Sequence, residues 1–180
     1  MTWITTFTGR HFDYANPDMS SICIKDIIHA LSNECRYAGH CPQFYSVAQH
    51  SVLTSMIVPP EFALEALLHD AAEAYCKDIP SPLKALLPSY RSLEARVDAV
   101  IRRRFGLPAI ASPEVKRADL IMLATERRDL EIDPDNFWPM LEGIPVSDQV
   151  VSPLLPMQAE RAFFERWEQL KSPSAVGEKS

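Results

Sequence analysis

The sequence predicts an all-α protein with a small β-hairpin at its N-terminus. Three observations carry this. Apolar residues recur at three- and four-residue spacing through most of the chain, the period of a helix. Proline and glycine fall between these periodic runs rather than inside them. A strand–turn–strand pattern occurs near the start, over residues 3–14.

The elements follow in order. Ile4, Thr5, Thr6 and Phe7 lead into Thr8-Gly9, and His11, Phe12, Asp13 and Tyr14 return, so residues 1–15 form a hairpin that caps one end of the helical body. Asn16-Pro17-Asp18 is a turn. A helix from about 21 to 37 puts Ile22, Ile24, Ile27, Ile28, Leu31 and Cys35 on one face and stops at Gly39. Cys41-Pro42-Gln43 breaks the chain, and a second helix runs from about 45 to 58. Pro59-Pro60 ends it and opens a third, continuous over about 61–75. Asp78-Ile79-Pro80-Ser81-Pro82 is a rigid turn before a short helix at about 82–87. Residues 90–105 form a long helix stopped by Gly106. Ser112 caps the next, Pro113 takes its first turn, and it continues to about 130. Residues 131–156 hold five prolines and predict an ordered loop packed by Phe137, Trp138, Met140 and Leu141; loops of this length are often functional or lids. A last helix covers about 157–170, and residues 172–180 form a flexible polar tail.

A chain of 180 residues with 47% hydrophobic and 23% charged residues is expected to form one soluble domain with a real core. The net charge of −6 argues against a broad nucleic-acid-binding surface. Cys23, Cys35, Cys41 and Cys76 form no Cys-x-x-Cys pair, which suggests reduced thiols and a cytoplasmic protein. No signal peptide and no uncharged stretch of membrane-spanning length is read.

Chemistry concentrates in Ala66-Leu67-Leu68-His69-Asp70-Ala71-Ala72-Glu73, an apolar run with three residues that bind cations or move protons. On a helix, His69 and Glu73 are four apart and Asp70 and Glu73 three apart, so they share a face. A buried helix must satisfy all three polar groups, and a metal ion would do so. A hydrogen-bonded His-Asp couple is the plainer alternative. His50 lies mid-helix in Tyr45-Ser46-Val47-Ala48-Gln49-His50-Ser51, where a core histidine is the commoner reading. Asp119 is flanked by Leu120 and Ile121 and needs a partner, either Lys116 or Lys84 in a salt bridge, or a metal. Together His50, His69, Asp70 and Asp119 are a nitrogen and oxygen ligand set suited to divalent Mn, Co, Fe, Ni, Zn or Mg.

The pattern His…His-Asp…Asp resembles the HD-domain metal-dependent phosphohydrolases. Cys35-Arg36-Tyr37, Tyr45 to His50, His69-Asp70-Ala71-Ala72-Glu73, Asp78-Ile79-Pro80-Ser81-Pro82-Leu83-Lys84 and Lys116-Arg117-Ala118-Asp119 follow one branch in order. That branch holds the bacterial 5′-deoxynucleotidases of the YfbR and YfdR kind and the phage deoxynucleotide triphosphohydrolases of the DatZ kind. The similarity covers about residues 1–130. It implies an HD-domain helical bundle whose metal ligands are His50, His69, Asp70 and Asp119. It makes Glu73 the carboxylate that activates or protonates around the attacked phosphate. Asp78 would contact the sugar 3′-hydroxyl, and Arg36 would bind phosphate. Tyr37 stands where the 5′-deoxynucleotidase pattern has Trp, an aromatic that crowds the sugar 2′ position. Tyr37 and Pro80 would shape the base pocket, and Lys84 and Lys116 are further phosphate candidates.

The resemblance implies hydrolysis of a deoxynucleoside 5′-monophosphate to nucleoside and phosphate. The alternatives are a triphosphohydrolase releasing triphosphate, with Lys84, Lys116 and Arg117 near the extra phosphates, and a non-catalytic nucleotide sensor. The expected partners are a deoxynucleotide and further copies of the chain, with no nucleic-acid polymer and no membrane.

Overall fold

The structure is a computed structural model that describes residues 1–171; the predicted tail, 172–180, lies outside the described residues. It is mostly helical with a two-stranded antiparallel hairpin at the N-terminus. Strand β1 (Trp3–Thr5) pairs with β2 (His11–Asp13), Ile4 opposite Phe12. Gly9, at φ +81, supplies the left-handed residue of the turn. The alternation puts Phe12 fully inside, against Tyr75, and Tyr14 donates its hydroxyl to the Tyr75 carbonyl at 2.5 Å. The hairpin is thereby fixed to the helical body.

The helices are α1 (Ile24–Asn33), α2 (Val47–Ile57), α3 (Ala63–Leu67), α4 (Glu73–Cys76), α5 (Ser81–Ala85), α6 (Pro88–Phe105), α7 (Pro113–Asp129) and α8 (Pro156–Lys171). Helix α2 is the centre: it packs on α1, α3, α7 and α8. Ser46 caps it by accepting from the Gln49 amide at 3.1 Å. Packed against four helices, α2 buries His50, Ser51, Thr54 and Ser55 along with Val47 and Ala48, and leaves Met56 exposed. The main core joins Ile27, Ile28 and Leu31 of α1 to Leu67, Leu68 and Ala71, to Val97, Val100 and Ile101 of α6, and to Ala159 and Phe163 of α8. A second cluster holds Tyr45, Met122, Leu130 and Val151. Gly106, at φ +68, ends α6 in the left-handed cap its sequence predicted. The four cysteines are free. Among the described residues no helix is long and apolar enough to cross a membrane.

Three expectations are corrected. The third helix is not continuous over 61–75. It is a 3-10 turn (Pro60–Phe62), α3, a run of turns at 68–72 and α4. Ser112 does not cap α7 with its side chain. Its hydroxyl donates instead to Glu65 Oε2 at 2.5 Å, and its amide to Glu65 Oε1 at 2.9 Å. Buried Arg102 donates to the same Oε1 at 3.2 Å, to the Pro108 carbonyl at 2.9 Å and to Asp98 at 2.8 Å. Glu65 therefore ties α3 to the α6–α7 connection. Finally, the 131–156 loop is ordered, but Phe137 and Met140 are exposed rather than packing it. Polar anchors hold it. Arg128 donates to the Ser147 and Gln149 carbonyls, Asp129 accepts from the Val151 amide, and Gln49 of α2 bonds Ser152 and Leu154.

Candidate metal centre

The break in the third helix builds the site. Leu68 leaves helical geometry (φ −108, ψ 10), and the chain closes through three-residue bonds: Ala71 N to Leu68 O, Glu73 N to Asp70 O and Ala74 N to Ala71 O. Such turns advance 120° per residue rather than 100°, so His69 and Asp70 are aimed differently from a continuous helix. The break also leaves the Ala66 carbonyl, which a regular helix would commit to the Asp70 amide, to accept from His69 Nδ1 at 2.7 Å. A carbonyl only accepts, so this nitrogen carries the proton and Nε2 presents its lone pair inward.

His50 comes from α2 and Asp119 from α7, and the four predicted ligands meet. His50 Nε2 lies 3.3 Å from His69 Nε2, 3.1 Å from Asp119 Oδ1 and 3.7 Å from Asp70 Oδ2. His69 Nε2 lies 3.2 Å from Asp70 Oδ2 and 3.7 Å from Asp119 Oδ1. His50, His69 and Asp119 each offer one ligand atom within 4.8 Å of one another, forming a group able to hold a metal ion. Asp119 pairs with these imidazoles rather than with Lys116 or Lys84. Burial opposes charge at all four residues, but each pair overcomes it. Both imidazoles are shifted up, Asp119 is held well below the carboxylate range, and Asp70 is held at about 2. Two imidazole lone pairs facing two carboxylates suit a borderline divalent cation, which would take the place of the shared protons.

One residue of the site has no counterpart in the sequence reading. Glu126, on α7 two turns after Asp119, is fully buried. Its Oε1 accepts from His50 Nδ1 at 2.5 Å and from the Tyr45 hydroxyl at 2.9 Å. Its Oε2 accepts from the Tyr37 hydroxyl at 2.5 Å and lies 3.3 Å from Arg36 Nε. Burial pushes its carboxyl up, but the Arg36 and His50 charges and the hydrogen bonds hold it at about 2. The available clue was the seven-residue spacing from Asp119, which keeps both on one stripe of the helix. The neighbouring Arg127 and Arg128 obscured it by making the segment read as solvated.

Arg36 is brought to the cluster by a short antiparallel bridge of Cys35 with Ser46, in which the Arg36 amide donates to the Tyr45 carbonyl at 2.9 Å. Its Nη1 lies 3.6 Å from Asp70 Oδ2. The chain then turns through left-handed Tyr37 (φ 57) and Ala38 (φ 51), a conformation costing non-glycine residues about 1–3 kcal/mol and typical of ligand clamps. Glu73 is buried, with Oε1 3.2 Å from Lys84 Nζ and Oε2 without a partner among the described residues. Burial and the nearby Asp70 and Asp78 raise its carboxyl well above the ordinary range. Lys84 is also 2.7 Å from Glu94, so two carboxylates engage its one ammonium. Asp78 is half-buried and within electrostatic reach of Arg36, Asp70 and Lys84. Pro80 precedes α5 and is half-buried. Lys116 is exposed one turn before Asp119, with no ion pair among the described residues. Thus Arg36 contacts the cluster at Asp70, Tyr37 is joined to it through Glu126, and Glu73 and Asp78 lie within electrostatic reach of Asp70, whereas Lys84 is already neutralised and Lys116 faces solvent.

No family model matches the chain. It is 57% identical over 171 residues to the uncharacterized protein YfdR of Escherichia coli, an alignment spanning 94% of this chain and 96% of that one. It is 36% identical over 126 residues to an uncharacterized protein of Rhodobacter capsulatus, 64% of each chain. On the first of these the chain belongs to the YfdR family.

Proposed function

We propose that the protein is an HD-domain phosphohydrolase that cleaves the 5′-phosphate ester of deoxynucleotides, chiefly monophosphates, to give deoxynucleoside and phosphate. One observation supports this above the others. A four-ligand His/Asp cluster stands next to a largely buried arginine whose guanidinium makes ion pairs but no hydrogen bond of good geometry among the described residues. His50, His69, Asp70 and Asp119 would hold the divalent ion. When bound, such an ion acidifies water and neutralises developing phosphoryl charge. Arg36 offers a permanently charged planar fork to the phosphate oxygens. Water attacks phosphorus, the bond to the 5′ oxygen breaks, and that oxygen must gain a proton. Glu73 is suited to transfer it: Lys84 fixes one oxygen, and the other is free and shielded from bulk water. Asp78 and Tyr37 flank the site where the sugar would lie.

Charge favours the monophosphate. A triphosphate needs further cations: Lys84 already faces Glu73 and Glu94, which leaves exposed Lys116 and Arg117 for the extra charge. Exposed Ile4, Phe7, Phe137, Met140, Val146 and Val150 support assembly into a homo-oligomer, which light scattering checks.

Purified protein with Mn, Co or Mg should release phosphate and nucleoside from deoxynucleoside monophosphates. Release of triphosphate from a deoxynucleoside triphosphate would establish the triphosphohydrolase instead, and nucleotide binding without turnover would establish a sensor. Glu73→Gln should lower kcat by roughly 10²–10⁴-fold while Mn affinity stays within a factor of two or so. Unchanged turnover removes Glu73 from the chemistry.

A further inference from the structure

We infer that Glu126 is a positioning residue that sets the metal ligand His50 and the phosphate-side Arg36 with a single carboxylate, so that the two subsites are built as one unit. The phosphate half of this rests on the function proposed above; the His50 half does not.

The geometry is specific. Helix α7 supplies two carboxylates to one imidazole. Asp119 Oδ1 lies 3.1 Å from His50 Nε2, on the inner side, and Glu126 Oε1 lies 2.5 Å from His50 Nδ1, on the outer side. The ring is held between residues two turns apart on the same helix. With Nδ1–H donated outward, Nε2 is left as a lone-pair donor toward the cluster. The second oxygen, Oε2, faces Arg36 Nε at 3.3 Å and accepts from Tyr37 at 2.5 Å. That bond adds a side-chain anchor to the left-handed segment Tyr37–Ala38, whose turn is closed by the Gly39 amide on the Arg36 carbonyl and the His40 amide on the Tyr37 carbonyl. Tyr45 closes the fourth side at 2.9 Å. Among the described residues, every hydrogen-bond and ion-pair partner of this carboxylate is a donor.

An all-donor environment makes the proposal sensitive to one atom. Glutamine has the same shape but one acceptor oxygen and an NH₂ group. If the oxygen of Glu126→Gln faces His50, the NH₂ meets the Arg36 guanidinium, donor against cation, and Arg36 must move. If the NH₂ faces His50, Nδ1 must accept, the proton shifts to Nε2, and the inward lone pair is lost. Neither orientation serves both subsites.

Two measurements test this. In the wild-type protein without metal, histidine ¹⁵N–¹H spectra at alkaline pH should show His50 in the Nδ1–H tautomer, with its proton far downfield. An Nε2–H tautomer overturns the proposal, whether or not any variant folds and whether or not the protein is a phosphohydrolase. In calorimetry, Glu126→Gln should weaken affinity for Mn²⁺, for inorganic phosphate in the presence of saturating Mn²⁺, or for both, by roughly 10–100-fold, and Glu126→Asp should recover part of it. Both affinities within twofold of wild type, in a folded Glu126→Gln protein, overturn the coupling.

Discussion

On the proposed function, Asp119→Ala should abolish Mn²⁺ binding in calorimetry and lower deoxynucleotide hydrolysis by roughly 1,000-fold or more, equivalent to at least about 4 kcal/mol of transition-state stabilisation. The reason is positional. Asp119 is the α7 carboxylate that faces the two inward nitrogens, at 3.1 and 3.7 Å, whereas Asp70 comes from the 68–72 turn. Without it the remaining three ligands lie on α2 and the 68–72 turn, leaving one side of any bound ion open. The side chain is 42% exposed, so its removal creates no large cavity and the metal-free melting temperature should change by only a few degrees. An Asp119→Ala protein that binds Mn²⁺ as the wild type does would exclude this cluster as the metal centre.

The second large effect is on stability. Glu65→Ala should destabilise the fold by roughly 3 kcal/mol, because it removes the acceptor of three donors and one partner of a buried ion pair. Arg102 keeps Asp98 and the Pro108 carbonyl, which holds the loss to the lower end of the range for broken buried pairs. For a chain of this size that lowers the melting temperature by roughly 6–12 °C. The effect should depend on pH. Burial raises the Glu65 carboxyl, but Ser112 and Arg102 outweigh burial and hold it below its ordinary value. A depressed carboxyl stabilises the fold fully above its unfolded value, about 4.3, and loses that contribution as pH falls through the lower folded value. The wild type and Glu65→Ala should therefore differ most near pH 7 and converge toward pH 3. An equal gap at both pH values would contradict the ion-pair account.

Both effects begin in residues whose partners are far away in sequence, and that marks how much of the molecule could be read in advance. The helical class, the hairpin, the Gly106 stop and the long helices over 88–105 and 113–129 were legible, because apolar periodicity and chain punctuation are local properties. His50, His69, Asp70 and Asp119 were legible as candidates because each places a costly polar group among apolar neighbours. The turn at 68–72 was not. Leucine and alanine dominate Ala66–Ala74 and favour a helix, and the tertiary environment overrides that preference. Ser112 carried the composition of a helix cap, but its hydroxyl found a buried carboxylate 47 residues away.

The sequence by itself therefore determined the helical class, most of the helix limits and which residues are candidates to bind a metal. Only the tertiary structure decided how those residues face one another. It showed that breaking the third helix turns His69 Nδ1 onto the Ala66 carbonyl, that Lys84 is spent on Glu73 and Glu94, and that Glu126 holds His50 and Arg36 together. The physical reason is that periodicity records burial one residue at a time. A ligand cluster depends on distances between helices, set by the packing of α2 among α1, α3, α7 and α8.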